Sequence, residues 1–397
     1  MHYAVKRPQE VTRTIWPVWG LLSSCRQQLQ EGRRSALAAE EARKRAAAGG
    51  RPLPTRLPLS ADDKHDKQEE EEEEEVFLSI IVQCRNDNYG GEMLLRLRRM
   101  LATATHMFDI LGVPTEIIVV EWNPPLGEAS IAEEIEGARA PGSSKETTPI
   151  RVIRVPTSVH MSMPHYKAHP LFEHTAENVG LRRAKGKFVL KTNIDNIMSF
   201  DTASFIARRD LREDAIYRAT YAEFDFPSED MGPAELLDWL FGQDDMLRNI
   251  NMDLAELSSR YPEDTHVCLN EKPRAQPPSE PRPFYWAGSG DFVLAARKLL
   301  WHVRGYPEIA QNWQTDDLIH CRLRAVGATQ IVLQPPCVTV HQNHRRINRV
   351  RSSTRWVVTD HNIGEVCSNP FDPLPTERSS GDDDWGFPNE VFQEIVV

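Results

Sequence analysis

Three short polar clusters carry the residue types that do chemistry. The first is Asn193-Ile194-Asp195, which closes an apolar run. Residues two apart on an extended chain point to the same side, so an amide and a carboxylate face one ligand. A carboxylate at a strand tip is a good ligand for a divalent cation. The same residues also suit a strand that ends in an Asx turn. The second cluster is Thr315-Asp316-Asp317-Leu318, at the head of a helical pattern. Free N–H groups and the helix dipole stabilise acids there, so one of the two is read as the cap. The other is then free for proton transfer, which a positioned carboxylate accelerates about 10²–10⁴-fold. The third is His341-Gln342-Asn343-His344. Imidazoles at a strand exit bind a metal or are satisfied by their neighbours. A zinc-protease site needs His-Glu-x-x-His on a helix, and Gln342-Asn343 does not supply it.

These clusters need elements to hold them. Phe77-Leu78-Ser79-Ile80-Ile81-Val82 reads as a buried strand, followed by a helix over Met93–Leu111. Thr115–Val120 and Ile150–Val155 read as the second and third strands, Thr175–Ala184 as a helix and Phe188–Thr192 as the fourth strand. Strands alternating with helices predict βα units and a mostly parallel sheet flanked by helices. Ligands of such sheets sit beyond the carboxyl ends of the strands. The exits are polar: Gln83-Cys84-Arg85-Asn86 after the first strand, Glu121-Trp122-Asn123 after the second and Asn193 to Asn196 after the fourth. A helix is expected from Asp316 through Ala325, stopped by Gly327, with strands at Gln330–Leu333 and Val338–Val340.

Composition sets the boundaries. The 397 residues are 40% hydrophobic and 26% charged, enough for a sizeable core. Residues 1–60 hold eleven Lys or Arg against four Asp or Glu, and residues 61–75 hold ten acids against two lysines. This basic-then-acidic arm, 1–75, is expected to be disordered, because the like charges of Glu69–Glu75 repel. Residues 76–368 form the expected domain. Within it, the Pro-rich stretch 227–283 is an insert, with a helix around Ala234–Leu257. Residues 369–397 read as a tail. Net charge is −11, and an acidic body argues against a nucleic-acid partner. No segment approaches the ~20 apolar residues of a membrane span. With no signal peptide visible, the cytoplasm is slightly favoured over a secretory lumen. Six scattered cysteines form no Cys-x-x-Cys pair, so neither a zinc finger nor a disulfide scaffold organises the chain.

The order of motifs from Phe77 to His344 resembles the GT-A glycosyltransferases, especially family-2-like members. Leu78–Val82 with Gln83-Cys84-Arg85-Asn86 is similar to the family's first strand and turn, although its Pro-Thr-Tyr is absent. Glu116–Glu121 resembles the second strand, which ends in a base- or ribose-binding acid. Asn178-x-Gly180-x-x-x-Ala184-x-Gly186 matches the helix before the metal motif, and Asn193-Ile194-Asp195 stands where the family has Asp-x-Asp. The resemblance implies a Rossmann-like sheet and a nucleotide-diphosphate sugar as donor. It implies transfer to an acceptor hydroxyl, inverting if a base takes that proton. Gln83, Arg85, Glu121, Asn178, Asn193 and Asp195 are then the donor-side residues. Asp195 and His341 hold a divalent metal, Mn²⁺ rather than Mg²⁺ because imidazole favours the softer ion. Asp316 is the base with Asp317 second, and Trp286, Asp291 and Trp313 lie toward the acceptor. The aromatics stack on a sugar or pack in the core. Other readings are an inactive relative and a nucleotidyltransferase; the latter needs a Gly-rich basic loop after the first strand.

Overall fold

The computed structural model describes residues 76–139, 148–228, 231–242, 265–266, 290–312, 315–345, 363–372, 374, 377–378 and 384–397. The chain divides at residue 74, and the described residues all belong to the unit that follows. The arm, Trp286, Trp313 and most of the expected insert lie outside the described residues.

β1 (Leu78–Cys84) is buried along its whole length, as are β2 (Thr115–Trp122) and β4 (Phe188–Thr192). Their unbroken apolar runs are what a parallel sheet covered on both faces requires. β1 pairs in parallel with β2 on one side and β4 on the other, and β2 pairs with β3 (Ile150–Val155). The order β3-β2-β1-β4 is that of a Rossmann-type half. The strand order therefore reverses at β1, and a crevice opens beyond β1 and β4.

The helices follow from their apolar spacing. α1 (Met93–Leu111) buries Leu97, Met100, Leu101, Ala104 and Phe108 on one face. Gly112 ends it in the left-handed conformation, φ 62°, where its N–H caps Phe108 and Asp109 carbonyls. α2 (Ile131–Glu134) opens with a capping box from Ser130 and Glu133. α3 (Thr157–Ser162) and α4 (Glu173–Arg183) follow β3. α4 packs on β1 and β2 and leads through Gly186 into β4. A Cβ at Gly186 would lie 2.4 Å from the Ser79 backbone nitrogen, so only glycine lets this turn close on β1.

The second half is antiparallel in part. β5 (Asn196–Met198), α5 (Phe200–Ala207) and β6 (Ala215–Phe224) follow β4. α6 (Pro233–Gly242) lies in the expected insert, whose residues 243–264 are outside the described residues, and β7 is the short pair Thr265–His266. β8 (Phe292–Ala296) runs antiparallel to β4 and to β6. α7 (Arg297–His302) and α8 (Thr315–Ala325) then lead to β9 (Thr329–Gln342). The two strands expected at 330–333 and 338–340 are one. It passes through the cis Pro335-Pro336 bond, with a register shift at Ala219/Thr220 of its parallel partner β6. α9 (Ile363–Ser368) is bonded to α8 by the Cys321–Cys367 disulfide.

The expected tail is corrected by the sheet. β10 (Gln393–Val396) pairs antiparallel with β3, and Trp385 and Phe387 are buried against the core. Arg183, Arg182 and Arg151 reach across to this segment, Arg151 through Glu394 at 2.6 Å. Pro, Ser and Asp are frequent in the stretch, and its short Gln-Glu-Ile-Val strand is easily overlooked among them.

One fold-level prediction arises at α5. Burial pushes the Asp201 carboxyl up to about 7, although the residue lies in the first turn of the helix. An acid raised in the fold loses stability as pH climbs from its unfolded value of about 3.8 toward 7. Asp201→Asn is expected to be more stable by up to about 4 kcal/mol at pH 8, with little difference at pH 4. Urea unfolding at the two pH values reads this directly.

Candidate active site

The crevice is assembled first by an amide. Gln83 at the end of β1 donates to Asn193 Oδ1 at 3.3 Å, bridging the two strand tips. Asn193 donates in turn to Asp291 Oδ1 at 3.0 Å, beside a second donor, Asn196, at 2.9 Å. The amide therefore uses both its accepting and its donating end, which a carboxylate could not. Asn193→Asp would set two acids against each other where Asn193 now donates to Asp291. It is expected to cost about 1–3 kcal/mol in thermal unfolding and to leave metal affinity no better.

Asp195 is the centre of a second group. Its Oδ1 accepts from Arg96 of α1 at 2.6 Å. Its Oδ2 lies 3.2 Å from His344 Nε2 and 3.6 Å from His341 Nε2. β5 pairs with β9 so that Asn196 stands opposite His341, which fixes the histidine beside the acid. Burial would raise the Asp195 carboxyl, but the histidine contacts and Arg96 outweigh it and hold it well below the usual range. Burial also opposes charge on His341, and Asp195 overcomes it. One carboxylate oxygen and two imidazole nitrogens lie within 4.8 Å of one another, a set that fits a divalent metal. The second oxygen of Asp195 is committed to Arg96, which leaves single-oxygen ligation.

Arg96 also donates to the carbonyls of Tyr89 and Gly91, so it ties the loop after β1 to Asp195. That loop contains Gly90 and Gly91 at φ 75° and 80°. A pocket of ≈ 330 Å³ lies here, lined by Gly90, Gly91, Arg96, Arg99, Gln342 and His344 among others. Its arginines suit an anionic ligand.

The acids of α8 stand on another wall. Gly290 separates Asp316 from Lys191: a Cβ there would come within 2.8 Å of Asp316 Oδ2 and 3.4 Å of Lys191 Nζ. Lys191 donates to the Gly290 carbonyl at 2.6 Å and to Asn193 Oδ1 at 3.4 Å. Asp316 is thereby placed next to the β4 tip. Asp317 is half-buried in the same first turn.

Two expected donor-side residues have internal partners. Glu121 is fully buried, accepting the Ile131 N–H at 3.2 Å and facing Arg154 at 3.3 Å. Asn178 is fully buried too. It donates to the Tyr306 carbonyl and to Glu308, and accepts the Tyr306 N–H, so it holds the turn after α7. Arg85 remains at the β1 exit, bonded to the Asn123 carbonyl and to Asp87. Arg96 and Lys191 were not among the expected site residues, and His344 was expected only as a member of the histidine cluster. For Arg96 and Lys191 the available signal was a basic residue on the apolar face of a helix or inside an apolar strand, since such a group must find a partner.

No family model and no curated protein sequence matches the chain. Solved structures do. S. aureus TarS is 15% identical at a TM-score of 0.35, over 67% of this chain and 37% of that one. TarS 1–349 in complex with UDP-GlcNAc is 14% identical at 0.39, over 74% and 66%. The catalytic domain of Drosophila beta1,4galactosyltransferase 7, complexed with xylobiose, is 10% identical at 0.34, over 77% and 83%. The chain thus spans about a third of the full TarS structure. These are distant likenesses.

Proposed function

We propose that this chain is a metal-assisted glycosyltransferase that moves a sugar from a nucleotide-diphosphate donor to an acceptor hydroxyl. The observation that carries the reading is the meeting of Asp195, His341 and His344 beside the β1–β4 switch point, with Asp316 next to the same strand tip. Departure of a nucleoside diphosphate develops negative charge. A divalent ion held by Asp195, His341 and His344 would neutralise it. Arg96 orients the Asp195 carboxylate and, with Arg99, gives the neighbouring pocket the charge to hold phosphate oxygens. Asp316 is the group assigned to take the acceptor proton. A base on that side implies inversion at the sugar carbon. Mn²⁺ is favoured over Mg²⁺ by the two imidazoles. The Cys321–Cys367 bridge is of a kind that persists in oxidising compartments, against the cytoplasmic expectation.

The test is a thermal-shift panel of UDP, GDP and CDP with their sugars, each with Mn²⁺, Mg²⁺ or EDTA. Ligand at a hundred times its dissociation constant stabilises the fold by about 2.7 kcal/mol. A shift with one nucleotide, abolished by EDTA, is the expected outcome. A folded protein that responds to none of them ends this reading.

A further inference from the structure

We propose that Lys191 is a positioning residue, a buried cation that holds the β4 tip and the acid at the head of α8 in one arrangement. The kinetic part of this proposal rests on the glycosyl-transfer reading; the geometric part does not.

Lys191 follows Phe188, Val189 and Leu190 in β4, and its side chain is only 6% exposed. An ammonium there is costly unless it is paired. It is ion-paired with Glu177 Oε1 at 2.9 Å and donates to the Gly290 carbonyl at 2.6 Å and to Asn193 Oδ1 at 3.4 Å. Glu177 is as buried, and its Oε2 faces His174 Nδ1 at 3.0 Å. The other nitrogen of His174 faces the Asn312 carbonyl at 3.3 Å. Both ring nitrogens thus meet acceptors, which only the doubly protonated ring satisfies. That ring is stacked on Tyr306, with centroids 5.3 Å apart.

The row His174, Glu177, Lys191 therefore alternates plus, minus, plus. Asp316 supplies the fourth charge, and Asp291 acts on the ammonium as well. Gly290 is the spacer that allows this. Its missing side chain leaves room for Asp316 Oδ2, while its carbonyl takes the ammonium. One cation thus touches Asn193 and the backbone against which Asp316 lies. Stability alone does not explain the pair, since apolar side chains of similar volume often replace a buried pair without loss. A shift of about 1 Å in the reacting groups is enough to cost roughly a hundredfold in rate.

The experiment uses the full chain and compares Lys191→Met with the double variant Glu177→Gln/Lys191→Met. The single variant leaves Glu177 Oε1 without its cation, with His174 as its remaining partner, and is expected to melt earlier. The double variant removes both charges; His174 then loses its proton, donating to the Asn312 carbonyl and accepting from the new amide, and most of the melting temperature is expected to return. Its turnover of nucleotide sugar should stay roughly a hundredfold below that of the native chain, with donor KM changed less than about threefold. Its crystal structure should show Asn193 and Asp316 displaced while β4 stays in place. If kcat returns with the melting temperature, or the two side chains do not move, Lys191 is structural only. If the native chain turns over no nucleotide sugar, the transfer reading fails, and the crystal structure still decides the positioning.

Discussion

Asp195→Asn is expected to lose metal-dependent binding of a nucleoside diphosphate while the protein stays folded. The amide keeps an oxygen for Arg96 and turns its nitrogen toward the histidines. No anionic ligand then remains among Asp195, His341 and His344. Metal affinity should fall by roughly a hundredfold or more, read by titration of Mn²⁺ into the protein with nucleotide present. Asp195→Ala should behave differently. It also strands Arg96, whose side chain is 4% exposed, and breaking a buried pair from one side costs about 3–5 kcal/mol. The two variants together separate ligation from structure. Equal metal affinity in Asp195→Asn and the native chain would remove the metal centre from the reading.

The centre was partly legible because strand tips are predictable. An apolar run of five or six residues ending in Asn-x-Asp places its acid outside the sheet, and β1, β2, β3 and β4 all lie where their apolar runs put them. Asp195 follows from that alone. His344 required the pairing of β5 with β9, a contact between residues more than 140 apart. No local pattern specifies such a pairing. The histidine cluster was visible as residue types, but its geometry was not.

Glu121 and Asn178 show what the sequence could not: their internal partners. Each stands at a motif position expected to meet the donor, yet each is used internally. Glu121 anchors the start of α2 through the Ile131 N–H, and Asn178 holds the turn at Tyr306 through three hydrogen bonds. A polar residue at a strand exit has two possible clients, a ligand or an orphaned backbone group. Residue type does not choose between them; burial does. Lys191 makes the same point from the other side. A lysine after Phe-Val-Leu looks solvent-facing only until the sheet is known to be covered on both faces, when a carboxylate partner becomes obligatory.

The second large effect belongs to Asp316. If it takes the acceptor proton, Asp316→Asn keeps the shape of the helix head and removes the base. Turnover should fall about 10²–10⁴-fold, while thermal stabilisation by nucleotide and metal remains as in the native chain. Asp317→Asn is the control on the same turn of α8. A cap or dipole role predicts a stability loss of about 1 kcal/mol and kcat within a few-fold of the native value. Exchange of these outcomes would transfer the base assignment to Asp317. Product stereochemistry decides between both and neither. A base that activates the acceptor for direct displacement inverts the anomeric carbon, which proton NMR of the first turnover reveals. Retention would mean that the sugar leaves by another route, and that Asp316 beside Gly290 serves the charge row of Lys191 and Glu177 rather than the acceptor hydroxyl.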